Sequence, residues 1–100
     1  VKVNKDEFLT VINNDLVLVD FFAEWCGPCK ILGPTLEQVA EELTNVDIVK
    51  MDVDDHLDIA QLYDISGVPT MILFKKGKKI DQKVGFAPKD TIISWLKKHM

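Results

Sequence analysis

The stretch Trp25-Cys26-Gly27-Pro28-Cys29 holds both cysteines of the chain, and the residues on its two sides decide the fold. Residues 16–22, just before it, read Leu-Val-Leu-Val-Asp-Phe-Phe, an apolar run rich in β-branched and aromatic side chains that is typical of a strand buried on both faces. Apolar residues at positions 32, 36, 39 and 43 follow, at the spacing of an amphipathic helix. Pro28 suits the first turn of that helix, where its missing N–H is not needed. The cysteines are therefore predicted to lie where a central strand ends and a helix begins.

This position favours a reactive dithiol. The unpaired N–H groups and the positive dipole end of a helix N-terminus stabilise a thiolate, which is the reactive form of cysteine. Cys26 is predicted to lie exposed at that terminus. Cys29, one turn later, is predicted to point inward with its sulfur close enough to bond to Cys26. The pair is expected to cycle between a dithiol and a disulfide.

Two other uses of the cysteines fit the sequence less well. Structural zinc takes four ligands, and the other candidates of matching softness, His56 and His99, are isolated in the sequence. No metal is therefore expected. A purely structural disulfide across two intervening residues would constrain the unfolded chain little. A redox-active pair is the favoured interpretation.

Residues 19–30, Val-Asp-Phe-Phe-Ala-Glu-Trp-Cys-Gly-Pro-Cys-Lys, resemble the active site of the thioredoxin family, and the likeness extends over nearly the whole chain. The resemblance implies the α/β thioredoxin fold, as a single domain over residues 1–100 with a central mixed five-stranded sheet flanked by four helices. One departure is Phe22, where many members carry tryptophan. Because a large aromatic ring is retained, we expect altered fluorescence rather than altered chemistry.

Hydrophobic periodicity predicts the remaining elements. Asn4 and Glu7 form a capping box that begins a first helix after a short edge strand at residues 1–3. Pro34 is expected to kink the helix that follows the cysteines, and Asn45 to close it in the left-handed conformation. The other predicted elements are a strand over 46–53, a short helix from 54–55, a hairpin of strands 71–74 and 80–84 with its turn at 75–79, and a last helix with Pro88 at its first position.

Two charged residues interrupt the predicted core strands. Asp20 lies in the run 16–22, and Lys50 lies in the strand over 46–53. A buried carboxylate has a raised pKa unless it is paired. If the two strands are neighbours, each charge supplies the other's nearest partner; two unrelated charges that face solvent are the alternative. The resemblance implies the pair, because the family's buried acid and its partner lysine occupy these two places.

The resemblance also implies the reaction, which is the reduction of disulfides in other proteins. Cys26 would attack a substrate sulfur, and Cys29 would then attack Cys26 and release the reduced substrate. Asp20 would accept or relay the proton of Cys29, and Lys50 would modulate the pKa of Asp20. Pro69 would follow a cis bond, beside which the Val68 backbone holds an extended substrate segment. The implied substrate-binding surface consists of Trp25, Gly27, Pro28, Val68, Pro69, Gly85 and Phe86.

The resemblance implies that no cofactor is bound and that an NADPH-dependent thioredoxin reductase re-reduces the Cys26–Cys29 disulfide. The other expected partners are disulfide-containing proteins. Nucleic acid is disfavoured by the net charge of −4 and the absence of arginine, and no apolar run approaches a membrane span. Two cysteines do not make a disulfide scaffold, which favours a reducing, cytoplasmic setting. The resemblance implies a monomer that serves electron transport and cell redox homeostasis.

Two other functions remain open on the same residues. A thiol oxidant or isomerase would run the exchange toward disulfide formation, and about 30 mV in reduction potential shifts this two-electron equilibrium tenfold. The Gly-Pro pair between the cysteines resembles that of the reducing members. A non-catalytic binding subunit would instead use the surface around Trp25 and Pro69 to clamp a partner.

Overall fold

A mixed four-stranded β-sheet forms the centre of the computed structural model, which describes all residues from 1 to 100. Its strands are β1 (Val17–Phe22), β2 (Asp47–Asp52), β3 (Thr70–Lys75) and β4 (Lys78–Val84), in the spatial order β2-β1-β3-β4. β2 runs parallel to β1, whereas β3 is antiparallel to both of its neighbours. Every residue of β1 is buried, which confirms the prediction of a central strand covered on both faces.

Two helices cover each face of the sheet. α1 (Lys5–Val11) and α3 (Leu57–Leu62) lie on one face, and α2 (Gly27–Glu42) and α4 (Lys89–Lys97) lie on the other. Successive side chains of β1 alternate between the faces, so Leu18 packs with α2 and α4 while Val19 packs with α1 and α3. Asp20 is two residues from Leu18, so its side chain lies on the same face of the sheet and points toward α2. None of the helices has the length and apolar character needed to cross a membrane.

The predicted fifth strand, at residues 1–3, was wrong. This segment makes one isolated bridge, between Lys2 and Lys50. The Val3 N–H donates to the Lys50 carbonyl at 2.8 Å, and the Lys50 N–H donates to the Val1 carbonyl at 3.0 Å. The chain then leaves the sheet edge, because the Asn4 side chain accepts from the Glu7 N–H and caps α1 immediately. The predicted capping box is therefore confirmed, and it is what shortens the strand.

Three predicted helix ends also need correction. Asn45 does not close α2, which ends on Leu43 in an extended conformation with φ −118° and ψ 91°. α3 begins at Leu57 rather than at residues 54–55, because the Asp54 N–H is bonded to the Asp52 carboxylate at 2.8 Å in a local turn. Pro88 is the N-cap of α4 rather than its first helical residue.

The predicted hairpin is confirmed, with longer strands than expected. Lys76 and Gly77 form its turn with φ values of 51° and 88°, both in the left-handed region that such two-residue turns require. A Cβ on Gly77 would lie 2.8 Å from the Asn13 side-chain oxygen. The positive φ favours glycine at this position, whereas the exposed Asn13 side chain could move away from an added Cβ.

Candidate active site

The two cysteines lie in the connection from β1 to α2, as predicted. Cys26 is the N-cap of α2, and its sulfur accepts a hydrogen bond from the Cys29 N–H at 3.2 Å. The two residues form a disulfide with their Cα atoms 5.3 Å apart. The sulfur of Cys26 therefore already occupies the position in which a helix N-terminus stabilises negative charge.

The expectation that Cys29 is buried is confirmed, but the expectation that Cys26 is exposed was wrong for this disulfide form. Cys26 is 4% exposed and Cys29 is 6% exposed. Both side chains belong to a small buried cluster with Phe22 and Ala23, against which Val68 packs. The two residues are therefore covered to nearly the same degree. What distinguishes Cys26 is the backbone N–H that points at its sulfur.

The loop before β3 lies beside the disulfide. Its Val68–Pro69 peptide bond is cis, which confirms the prediction. Val68 contacts the cysteine cluster, while the Pro69 carbonyl accepts from the Gly85 N–H at 2.8 Å. Gly85 has a φ of 90°, a value at which a side chain would be strained. The predicted residues Val68, Pro69 and Gly85 are thus joined at one edge of the site.

Exposed apolar side chains surround this edge. Trp25 is 72% exposed and Phe86 is 45% exposed, and Gly27 and Pro28 are also exposed at the start of α2. The Trp25 indole N–H donates to the Asp54 carboxylate at 2.9 Å, so the tryptophan is fixed by its polar edge and presents its apolar faces. A surface of this kind suits contact with another protein chain.

Asp20 and Lys50 are direct neighbours across the β1–β2 ladder, as predicted, but they do not form the predicted pair. Asp20 is 2% exposed, and its Oδ1 atom has no hydrogen-bond partner. The Lys50 ammonium instead lies over the Phe22 ring, 4.7 Å from its centroid. Burial raises the pKa of Asp20 to about 6, and the positive charge of Lys50 opposes that rise without cancelling it.

Two adjoining clefts connect this carboxylate and the disulfide to the surface. The larger, of about 430 Å³, reaches Cys29, and the smaller, of about 210 Å³, reaches Asp20. Val1, Glu37 and Lys50 line both clefts. Cys29 and Asp20 thus line adjoining clefts rather than one common cavity. No three His, Cys, Asp or Glu side chains converge in a way that would hold a metal ion.

Comparison with known proteins agrees with this geometry. The family model described as thioredoxin matches residues 1–98. The chain belongs to the thioredoxin family. It is 48% identical over 97 residues to a thioredoxin of Chlamydia trachomatis serovar D, an alignment that covers 97% of this chain and 95% of the relative. It is 43% identical over 101 residues to a thioredoxin of Staphylococcus epidermidis, covering 100% of this chain and 97% of the relative.

Solved thioredoxin structures have the same fold. A mutant thioredoxin from Halobacterium salinarum NRC-1 superposes with a TM-score of 0.92 at 36% identity, covering 98% of this chain and 88% of that one. Chloroplastic thioredoxin z superposes with a TM-score of 0.88 at 35% identity, covering 97% and 90%. The thioredoxin fold is thus confirmed, with four strands in its sheet. Members of the family are thiol–disulfide oxidoreductases, and this chain is a protein-disulfide reductase.

Two residues at this thioredoxin-family site were missed in the sequence. Asp54 holds the Trp25 indole, and the need of an indole N–H for an acceptor was a signal, although it did not distinguish among the acids of residues 52–58. Val84, 66% exposed at the end of β4, precedes Gly85. The alternation along β4 indicated that one face of the strand is exposed to solvent. It did not indicate that the apolar side chain of Val84 would be exposed beside the active site.

Proposed function

We propose that Cys26 is the attacking thiol of this reductase and that Cys29 is the resolving thiol. The observation that carries the proposal is the hydrogen bond from the Cys29 N–H to the Cys26 sulfur at the N-cap of α2. A thiolate at this position gains the same hydrogen bond and the dipole of a helix that runs from Gly27 to Glu42. No such group points at the sulfur of Cys29.

In the first step, the Cys26 thiolate attacks one sulfur of a substrate disulfide. The substrate S–S bond breaks, a mixed disulfide forms, and the released substrate thiolate takes a proton from solvent. In the second step, Cys29 loses its proton and attacks the Cys26 sulfur, which displaces the second substrate thiolate. Two electrons have then passed to the substrate, and the Cys26–Cys29 pair is oxidised.

Asp20 is the proposed acceptor of the Cys29 proton. Its carboxylate is buried and lacks a partner at Oδ1, and the cleft beside it adjoins the cleft at Cys29. Burial raises the pKa of Asp20 to about 6, which makes the ionised carboxylate a stronger base than a free aspartate near neutral pH. Lys50 supplies the positive charge that keeps the pKa from rising further.

Substrate proteins are proposed to dock on the apolar surface around the disulfide. Exposed faces of Trp25 and Phe86 support this role, as do Gly27 and Pro28, which leave space above the sulfurs. The backbone of Val68, held by the Pro69–Gly85 hydrogen bond, would pair with an extended substrate segment. Specificity would then come from the shape of that segment rather than from charge.

The remaining parts of the proposal concern the setting of the protein. An NADPH-dependent thioredoxin reductase would return the disulfide to the dithiol, so that electrons pass from NADPH to substrate proteins. Residues 1–100 would act as a single-domain monomer in the cytoplasm. The use of both cysteines for one redox pair supports a reducing compartment.

Reduction of insulin in the presence of NADPH and thioredoxin reductase tests this function. We expect continuous NADPH consumption that depends on this protein, and none with Cys26→Ser. A non-catalytic binding subunit would give no consumption with the wild-type protein. The equilibrium reduction potential against glutathione distinguishes the oxidant or isomerase, which would have a value near that of protein disulfide isomerase, about −180 mV, rather than near the −270 mV of thioredoxin.

A further inference from the structure

The Lys50 ammonium lies over the ring of Phe22 rather than beside the Asp20 carboxylate. Lys50 faces Asp20 directly across the ladder, yet its ammonium lies 4.7 Å from the centroid of the Phe22 ring. The Asp20 Oδ1 atom is buried and has no hydrogen-bond partner. The Lys50 ammonium could thus interact with either the Asp20 carboxylate or the Phe22 ring, and in the structure it lies over the ring.

The strand geometry makes this choice possible. Asp20 and Phe22 are two residues apart on β1, so both side chains point to the same face of the sheet. The Lys50 stem rises between them from β2, directly opposite Asp20 and diagonally opposite Phe22. Long side chains reach diagonal neighbours on a sheet face. A shift of the ammonium along β1 is therefore enough to exchange one neighbour for the other.

We propose that Phe22 is a positioning residue: its ring holds the Lys50 ammonium at the cleft mouth and thereby keeps the Asp20 carboxylate unpaired. The proposal rests on the proposed function of Asp20 as the acceptor of the Cys29 proton. It changes the expectation drawn from the sequence, in which the phenylalanine affects fluorescence but not chemistry.

Solvation explains why the ring is favoured over the carboxylate. Lys50 is only partly buried and lines the larger cleft, so an ammonium over the ring face keeps water on its other side. Pairing with Asp20 would require the ammonium to leave that water, which is the main cost of a buried ion pair. A cation above an aromatic face is attracted without being fully desolvated.

Few other charges act on Asp20. Glu37 of α2 is the only other charged side chain that lines its cavity, and the amino-terminal residue Val1 lies across the same opening. Lys2, Glu24 and Lys30 line the larger cleft. The β3 residue opposite Asp20 is the apolar Met71. Burial is the main cause of the raised pKa of Asp20, and the Lys50 ammonium is the positive charge that opposes it.

The consequence for the reaction follows directly. A carboxylate paired with an ammonium is a weak base, whereas an unpaired buried carboxylate holds a proton more strongly. Because Phe22 binds the Lys50 ammonium, Asp20 remains able to take the Cys29 proton in the resolving step. Lys50 remains close enough to stabilise the ionised carboxylate without neutralising it.

The test measures the pKa of Asp20 in the oxidised protein from the ¹³C chemical shift of its carboxyl carbon. Phe22→Leu removes the ring and keeps an apolar side chain, and we expect it to release Lys50 and to lower the pKa of Asp20 by about one pH unit. Phe22→Trp retains a ring and should keep the wild-type value. In the Lys50→Met background, Phe22→Leu should leave the pKa unchanged.

A second measurement needs no variant. The ε-methylene protons of Lys50 in the wild-type protein should be shifted upfield by the Phe22 ring current. Absence of that shift would overturn the proposal, as would a folded Phe22→Leu protein with an unchanged or raised Asp20 pKa. The same decrease in the Lys50→Met background would also overturn it, because the effect would then not pass through Lys50.

The pH profile of the resolving step separates this inference from the proposed function. If the pKa of Asp20 falls in Phe22→Leu and the pH profile moves with it, the positioning role of Phe22 and the proton-acceptor role of Asp20 are both supported. If the pKa falls but the profile does not move, the positioning role of Phe22 stands and Asp20 is not the proton acceptor.

Discussion

Cys26 and Cys29 differ in the structure by the backbone around each sulfur and hardly at all by exposure. The Cys29 N–H donates to the Cys26 sulfur at the start of α2. This bond stabilises a thiolate on Cys26 and cannot stabilise one on Cys29. We therefore propose that helix geometry, rather than the coverage seen in the disulfide form, selects the attacking thiol.

Alkylation of the reduced protein should follow this difference. With limiting iodoacetamide near neutral pH, we expect Cys26 to be labelled first, because the reagent reacts with thiolates and the thiolate is favoured at the N-cap. Peptide mass spectrometry identifies the labelled residue. A urea-unfolded sample, in which both cysteines should react equally, is the control. Faster labelling of Cys29 in the folded protein would contradict the assignment.

Asp20 should reduce stability at neutral pH. Its pKa is raised in the folded protein to about 6, above roughly 3.9 in the unfolded chain. The folded state thus holds the proton more strongly, so the destabilisation is absent below pH 4. It grows between pH 4 and 6 and is constant above, reaching at most about 3 kcal/mol.

Asp20→Ala should therefore raise the free energy of unfolding of the oxidised protein at pH 7, and the gain should disappear near pH 3.5. The absence of an ion pair means that the substitution leaves no buried partner charge behind. Denaturant melts at the two pH values measure the difference. Asp52→Ala is the matched control, because Asp52 is also buried but accepts a hydrogen bond from the Asp54 N–H; it should lose stability. A less stable Asp20→Ala protein at pH 7 would refute the argument.

At the scale of elements, one carboxylate of β4 contacts two side chains in and just after the last turn of α4. Asp81 accepts from the Trp95 indole N–H at 2.7 Å and contacts the His99 imidazole at 2.9 Å. These bonds and the Gln82 N–H lower the pKa of Asp81 to about 2, with the Trp95 bond as the largest cause. The carboxylate thus connects the end of α4 to the edge strand β4.

Removing the Asp81 carboxylate should increase local opening of α4 without changing the structure around the cysteines. Because the pKa is lowered on folding, the contribution of Asp81 is present above about pH 4 and is lost as the pH falls toward 2. Asp81→Ala should speed hydrogen exchange of the amides of residues 95–99 at pH 7 and leave those of β1 unchanged. Asp90→Ala, on the exposed first turn of α4, should leave both sets unchanged. Equal protection in Asp81→Ala and the wild type would show that apolar packing alone holds the helix.

For the whole molecule, local pattern was sufficient to predict the elements that position the cysteines. The apolar run of β1, the periodicity of α2 and the glycine turn of the hairpin each specify a structure within a few residues. The family resemblance supplied the cis bond before Pro69, which composition and periodicity do not indicate. The resemblance also implied that Asp20 and Lys50 are neighbours, which they are, whereas the two strands alone left this open.

What the sequence did not predict depends on contacts between distant residues. The fifth strand is lost because the Asn4 cap takes the chain away from the sheet edge. The exposure of Cys26 is lost because Phe22, Ala23 and Val68 close around the disulfide. The predicted ion pair is absent, and the Lys50 ammonium lies over the Phe22 ring instead. None of these three outcomes can be predicted from one segment of the sequence alone, because each depends on contacts with other segments.

Trapping of the mixed disulfide tests the central claim most directly. Cys29→Ser and Cys26→Ser proteins are each incubated with a peptide that carries one disulfide, and the product is digested and mapped by mass spectrometry. We expect Cys29→Ser to accumulate a disulfide between Cys26 and the peptide, because no resolving thiol remains, and Cys26→Ser to accumulate none. A peptide bound to Cys29 in Cys26→Ser at a comparable rate would show that α2 does not select the attacking sulfur, and would contradict the mechanism.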